Sequence, residues 1–174
     1  KAPEKYHHPN MRTTIDTPED YRRAMNVVRT LSQKAANGPY STEDIVGTCS
    51  LPQIKNPVLL VPSVKKGHGT GHLRRCLDLA IENKWDVYIP DDCDLEEAGA
   101  LVAEARQSGL DEFHVVKNLS GLSYYSCAVT DMFVSDENLK KTLSQNVAVI
   151  ALDEGSPDLD FADYVFDVIP GLNE

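Results

Sequence analysis

The feature that most constrains this chain is an unbroken apolar run, Val58-Leu59-Leu60-Val61, closed by Pro57 and Pro62. A short run without polar alternation suits a strand covered on both faces, as in a parallel sheet. Gly67, Gly69 and Gly71 follow in alternation, and they allow backbone conformations and close approaches that a side chain would forbid. Leu73, Cys76, Leu77 and Ala80 then recur at helical spacing, which predicts a helix immediately after the loop. Strand, glycine loop and helix together deliver free N–H groups and the positive end of a helix to one point, and such a point attracts phosphate.

The glycine spacing is not the dinucleotide fingerprint, because Gly71 follows Gly69 too closely. His72 stands at the helix start, where the dipole disfavours an imidazolium and suits a ring that accepts a proton. A histidine in such a loop is a candidate general base. A tight strand-to-helix turn with a merely capping histidine fits the same residues, and both readings stay open on physics alone. Lys65, Lys66, Arg74 and Arg75 cluster around the loop and would favour a phosphate there.

Gly69-Thr70-Gly71-His72-Leu73-Arg74-Arg75-Cys76-Leu77-Asp78-Leu79-Ala80 resembles the G-x-G-H-hydrophobic-x-R-x-L-x-L-A signature of the UDP-sugar hydrolases of the pseudaminic acid pathway. Residues 67–72 are also similar to the first glycine loop of the N-acetylglucosaminyltransferase that makes lipid II, which places the resemblance in the two-domain GT-B superfamily. The resemblance implies a three-layer α/β Rossmann-like parallel sheet, the N-terminal half of a GT-B fold. It implies His72 as the catalytic residue and hydrolysis of a UDP-amino sugar with release of UDP. Gly67, Gly69, Thr70, Gly71 and Arg75 would bind substrate or phosphate, with no cofactor. Glycosyl transfer and a non-catalytic sugar-binding or partner-binding domain are the alternatives.

A second resemblance lies upstream. Arg12-Thr13-Thr14-Ile15-Asp16-Thr17-Pro18-Glu19-Asp20-Tyr21 is similar to the closing motif of the cytidylyltransferases that activate acidic sugars. It implies a fusion in which residues 1–37 are a cytidylyltransferase-like tail, 38–56 a linker and 57–174 the Rossmann-like half. Asp16 would hold magnesium only where the rest of the cytidylyltransferase is present, and its nucleotide-binding loop is not in this sequence.

Residue by residue, Thr17 is a good N-cap and Pro18 fits the first helical position. Tyr21, Ala24, Met25, Val28 and Leu31 predict one apolar stripe on a helix over 18–36. Residues 35–56, with Asn37, Gly38, Pro39 and Pro52, read as linker with a short turn at 41–46. Strands are then expected at 85–89, 112–116, 127–134, 147–152 and 164–168, with helices at 95–108 and 136–143. Such alternation argues for a parallel sheet flanked by helices.

Ligands of open parallel sheets sit beyond the carboxyl ends of strands. That directs attention to Lys117, Asn118, Asp131, Asp153, Glu154 and Gly155. Asp131 and Asp153 could orient His72 or hold sugar hydroxyls, and aspartates also end strands as plain turn residues. Tyr124 and Tyr125 could stack on a sugar, with ordinary packing the simpler reading, and His7-His8 reads as a solvated pair.

Among 174 residues, 17 Lys+Arg stand against 27 Asp+Glu, a net charge of -10, which repels polyanions and excludes nucleic acid as the expected partner. Cys49, Cys76, Cys93 and Cys127 form no C-x-x-C pair, so no zinc or disulfide frame is expected and a reducing cytoplasm fits. No apolar run reaches the roughly 20 residues needed to span a bilayer. The expected partners are a small nucleotide sugar and the remaining domains of a longer chain, with homodimerisation left open.

Overall fold

The apolar run forms β1 (Val58–Pro62), with every residue after Val58 buried. It pairs in parallel on both sides, with β2 (Asp86–Tyr88) and with β4 (Cys127–Asp131). With β3 (Val115–Val116), β5 (Ala148–Asp153) and β6 (Tyr164–Asp167), the sheet is six-stranded and all parallel, in the order β3-β2-β1-β4-β5-β6. In this computed structural model residues 3–4, 11, 13–34, 38–132, 136–153 and 159–167 are described. The chain divides into two units, Lys1–Asn56 and Pro57–Glu174, and the sheet belongs to the second.

Side-chain alternation sorts the sheet unit into layers. Leu60 and Val87 face one side and join Leu73, Cys76, Leu77 and Ala80 of α4 (Gly71–Asn83) and Ala98, Leu101 and Ala105 of α5 (Ala98–Gln107). Leu59, Val61, Ala128 and Val149 face the other side, where Leu143 of α6 (Glu137–Ser144) packs with Leu122 and Tyr125. A Rossmann-like three-layer fold results, as the alternation of elements predicts. Helix α5 is closed by Gly109. Gly109 has φ 106°, and the N–H groups of Gly109 and Leu110 donate back to the carbonyls of Arg106 and Ala105 at 3.2 and 2.9 Å, the two hydrogen bonds of a Schellman end. The strand expected at 112–116 is shorter, because 112–114 wind into a 3₁₀ turn before β3.

The first unit differs more from expectation. Helix α1 (Pro18–Lys34) forms with Thr17 as its cap, the Asp20 N–H donating to Thr17 Oγ1 and the Thr17 N–H to Asp20 Oδ2. Yet Tyr21 and Val28 are exposed, while Val27 and Leu31 are buried with Ile54 against Tyr40, Cys49 and Leu51. The cause lies in residues 38–56, which are not an extended linker. They carry α2 (Thr42–Cys49), started by a reciprocal Ser41–Asp44 capping box, and α3 (Pro52–Lys55). These helices choose the face of α1 that goes inside.

Candidate functional site

Asp131 ends β4, and alternation along that strand turns it, like Val129, toward α4. Three residues of α4 at i, i+3 and i+4 share the face that meets it: His72, Arg75 and Cys76. His72 Nδ1 lies 2.8 Å from Asp131 Oδ1. Arg75 grips the same carboxylate with both arms, Nε to Oδ2 at 2.6 Å and Nη2 to Oδ1 at 2.7 Å. Asp131 has 0% side-chain exposure and His72 11%. A carboxylate so deep would be costly alone, and the bidentate guanidinium together with the imidazole supplies the bonds that make its burial tolerable. Cys76 Sγ is a further neighbour at 3.9 Å. Burial, reinforced by the Asp131 charge, pushes its thiol well above the ordinary range, so it is a packed, inert cysteine.

The ionised carboxylate can only accept, so His72 donates through Nδ1–H and its Nε2 becomes the acceptor of the ring. A carboxylate behind an imidazole fixes both its orientation and its tautomer, as in hydrolytic triads. The pair stands beside the junction of β1 and β4, where strand order reverses, with Pro62 opposite Asp131 and the Ser63 N–H donating to the Asp131 carbonyl at 2.8 Å. Ligands of doubly wound sheets bind at this switch point.

The loop between β1 and α4 contains Gly67, Gly69, Thr70 and Gly71. Gly67 and Gly69 have φ of 84° and 75°, which glycine adopts without strain. Thr70 is the N-cap of α4 but makes no side-chain cap bond, so the first-turn donors are not closed off by it. Of the cations expected around the loop, Lys66 pairs with Glu96 and Arg74 with Glu104, both in exposed pairs, and Arg75 is turned to Asp131. The anion-attracting charge is therefore weaker than the sequence implies, and Arg75 acts on Asp131 rather than standing open to a phosphate. Asp153 closes β5, but its side chain, with Glu154, Gly155 and the pair His7-His8, lies outside the described residues. Lys117 pairs with Asp91, and Asn118 accepts from the Ser120 N–H in a local turn.

Sequence reasoning missed two features here. Ser63, 4% exposed, holds its hydroxyl 2.8 Å from His68 Nδ1; His68 sits between two of the glycines, and the glycine pattern drew attention past it. A cleft of about 650 Å³ opens beyond β1, β2 and β4, lined by Ser63, Lys65, Tyr88, Asp92, Leu119 and Met132 among others. Burial first and Asp92 second raise the Tyr88 phenol, which stays a neutral donor in the cleft.

At the amino ends of the strands lies a buried triad that no local pattern announces: His114 Nδ1 to Asp86 Oδ1 at 2.7 Å, and the Tyr125 hydroxyl to Asp86 Oδ2 at 2.6 Å. Tyr125 also meets Tyr124 edge-on at 5.1 Å. The tyrosines thus pack rather than stack on a ligand.

Among the described residues no group of three His, Cys, Asp or Glu is arranged to hold a metal. At the magnesium position that the upstream resemblance implies, Asp16 is exposed, and the nearby Asp20 carboxylate is engaged by Arg23 and by the N–H groups of Asp16 and Thr17. These residues do not assemble a magnesium site by themselves. No helix of the described residues is long and apolar enough to cross a membrane. Comparison with protein-family models, curated proteins and solved structures returns no match to this chain.

Proposed function

We propose that this chain processes a nucleotide sugar in surface-polysaccharide or nonulosonic acid synthesis, by hydrolysing a UDP-linked amino sugar at its anomeric carbon with release of UDP. The observation that carries the reading is the 2.8 Å contact of His72 with fully buried Asp131 at the switch point of the sheet. His72 Nε2 takes the proton of the attacking water, whose oxygen bonds the anomeric carbon as the bond to the diphosphate breaks. Asp131 holds the ring and offsets the charge it gains, and Arg75 holds Asp131. The N–H groups at Thr70 and Gly71 and the start of α4 receive the diphosphate. The resemblance of the upstream segment supports a longer fusion with a cytidylyltransferase, cytoplasmic like the pathway it resembles.

Glycosyl transfer uses the same groups with a hydroxyl in place of water. The cleft of about 650 Å³, whose lining includes Ser63 and Lys65 ahead of the glycine loop rather than His72 itself, has room for an acceptor. The test is to incubate the full-length protein with UDP-linked amino sugars and to follow UDP and sugar separately. Equal release of UDP and free reducing sugar is the expected result; a glycoside formed with an added acceptor indicates transfer. Binding without UDP release would leave a non-catalytic sugar-binding domain and contradict the proposal.

A further inference from the structure

We infer that His68 is a second functional imidazole of this site, a hydrogen-bond donor to the leaving diphosphate oxygen, set in that role by Ser63; this rests on the hydrolytic reading above. The two rings are fixed in parallel ways. Each is bound through Nδ1 at 2.8 Å to a buried group, His72 to the Asp131 carboxylate and His68 to the Ser63 hydroxyl. The two anchoring residues are themselves joined, Ser63 N–H to Asp131 carbonyl, at 2.8 Å. Both imidazoles therefore hang from adjacent posts at the ends of neighbouring strands.

The posts impose opposite tautomers. Asp131 can only accept, which places the proton on His72 Nδ1 and leaves Nε2 as a base. For Ser63 the deciding fact is burial at 4% exposure. If His68 donated, the hydroxyl hydrogen of Ser63 would have no acceptor recorded among the described residues, and a buried unmade donor is costly. Ser63 Oγ–H therefore donates to His68 Nδ1, and the ring carries its proton on Nε2, as a donor. The loop holding His68 is also tethered, the Lys66 N–H donating to Asp94 Oδ1 at 2.9 Å and the His68 N–H to the Lys65 carbonyl at 3.2 Å.

A base and a neutral donor are what the reaction divides between its two ends. The water oxygen forms a bond to the anomeric carbon and gives its proton to His72 Nε2. The bond from that carbon to the phosphate oxygen breaks, its electron pair stays on the oxygen, and the developing charge is met by His68 Nε2–H. UDP leaves as the anion, and His72 returns its proton to solvent. A neutral imidazole N–H suffices, because a diphosphate is stable without protonation and needs only a preorganised donor.

The test follows the ring nitrogens of the histidines by NMR in this chain, at a pH where the rings are uncharged, while inorganic pyrophosphate is added. The expected result is Nε2–H on His68, Nδ1–H on His72, and both sets of signals moving along one saturation curve while those of buried His114 stay still. Ser63→Ala should abolish the His68 response and its fixed tautomer and leave the His72 response; His68→Gln should weaken pyrophosphate binding severalfold. If His72 responds while His68 is silent, or if His68 carries its proton on Nδ1, the inference is overturned and the reading of His72 stands. If neither ring responds, the inference falls together with the phosphate loop.

Discussion

At Gly71 the backbone is helical and a Cβ would meet nothing within 4 Å, whereas Gly67 and Gly69 hold positive φ with equally open surroundings. The fold needs glycine at two of the three loop positions for conformation, and at the third it does not need glycine at all. On the proposed reading, a bare backbone there lets a phosphate come close. Gly71→Ala should leave stability unchanged or raise it by about 0.4–1 kcal/mol, as when a glycine is replaced at a compatible position, and should weaken pyrophosphate binding. Gly69→Ala should instead destabilise by about 1–2 kcal/mol. Thermal unfolding and a pyrophosphate titration of both variants check this; unchanged binding in Gly71→Ala would mean that no phosphate approaches that residue. The partnership of His72 with Asp131 was legible only as one of two candidates, Asp131 and Asp153, and the strand expected at 127–134 ends earlier, at Asp131. The turn of Arg75 onto Asp131 was not legible, because a cation near a glycine loop looks the same in sequence whether it meets a phosphate or a carboxylate.

At the scale of elements, order and type were readable in the sheet unit because burial on both faces of a parallel sheet leaves apolar runs punctuated by Gly and Pro, whereas α2 and α3, in a stretch with little apolar patterning, were read as linker. The inward face of α1 was not readable, because its apolar residues allow two overlapping faces and α2 and α3 decide between them. Val27→Asp, at 7% exposure, should lower the melting temperature of the helical unit by removing burial worth about 1.5–3 kcal/mol. Val28→Asp, at 49% exposure, should change stability by less than about 0.5 kcal/mol. Equal effects of the two in parallel melts would contradict the orientation of α1. The capping box of α2 adds a pH dependence. Bonds from the Ser41 side chain and backbone lower the Asp44 carboxyl below its ordinary 3.8. A lowered carboxyl stabilises fully above its unfolded value and loses that contribution as pH falls through the folded one. Helical signal from this unit should therefore decline in acid below about pH 4, less so in Asp44→Asn; identical acid transitions would show that the box contributes nothing.

For the molecule as a whole, the sheet brings together an imidazole held by a buried carboxylate and a glycine loop, with a cleft beyond β1, β2 and β4, and the proposed reading leaves the uridine pocket to another half of the full-length protein. Calorimetry with UDP on this chain should accordingly show no micromolar affinity, and a micromolar constant would place the nucleotide pocket here. The buried Asp86–His114–Tyr125 triad marks the limit of sequence reading at this scale: its members are 28 and 39 residues apart, and only the assembled sheet brings them together. The central claim is that His72, oriented by Asp131, is the base. Asp131 itself is a poor probe, since removing it strands Arg75 beside a buried gap and destabilises the fold. The direct measurement is kcat for UDP release by the full-length protein with His72→Asn, alongside its melting temperature. The account predicts a loss of about 10²–10⁴-fold with the melting temperature nearly unchanged; full activity in the variant would contradict it.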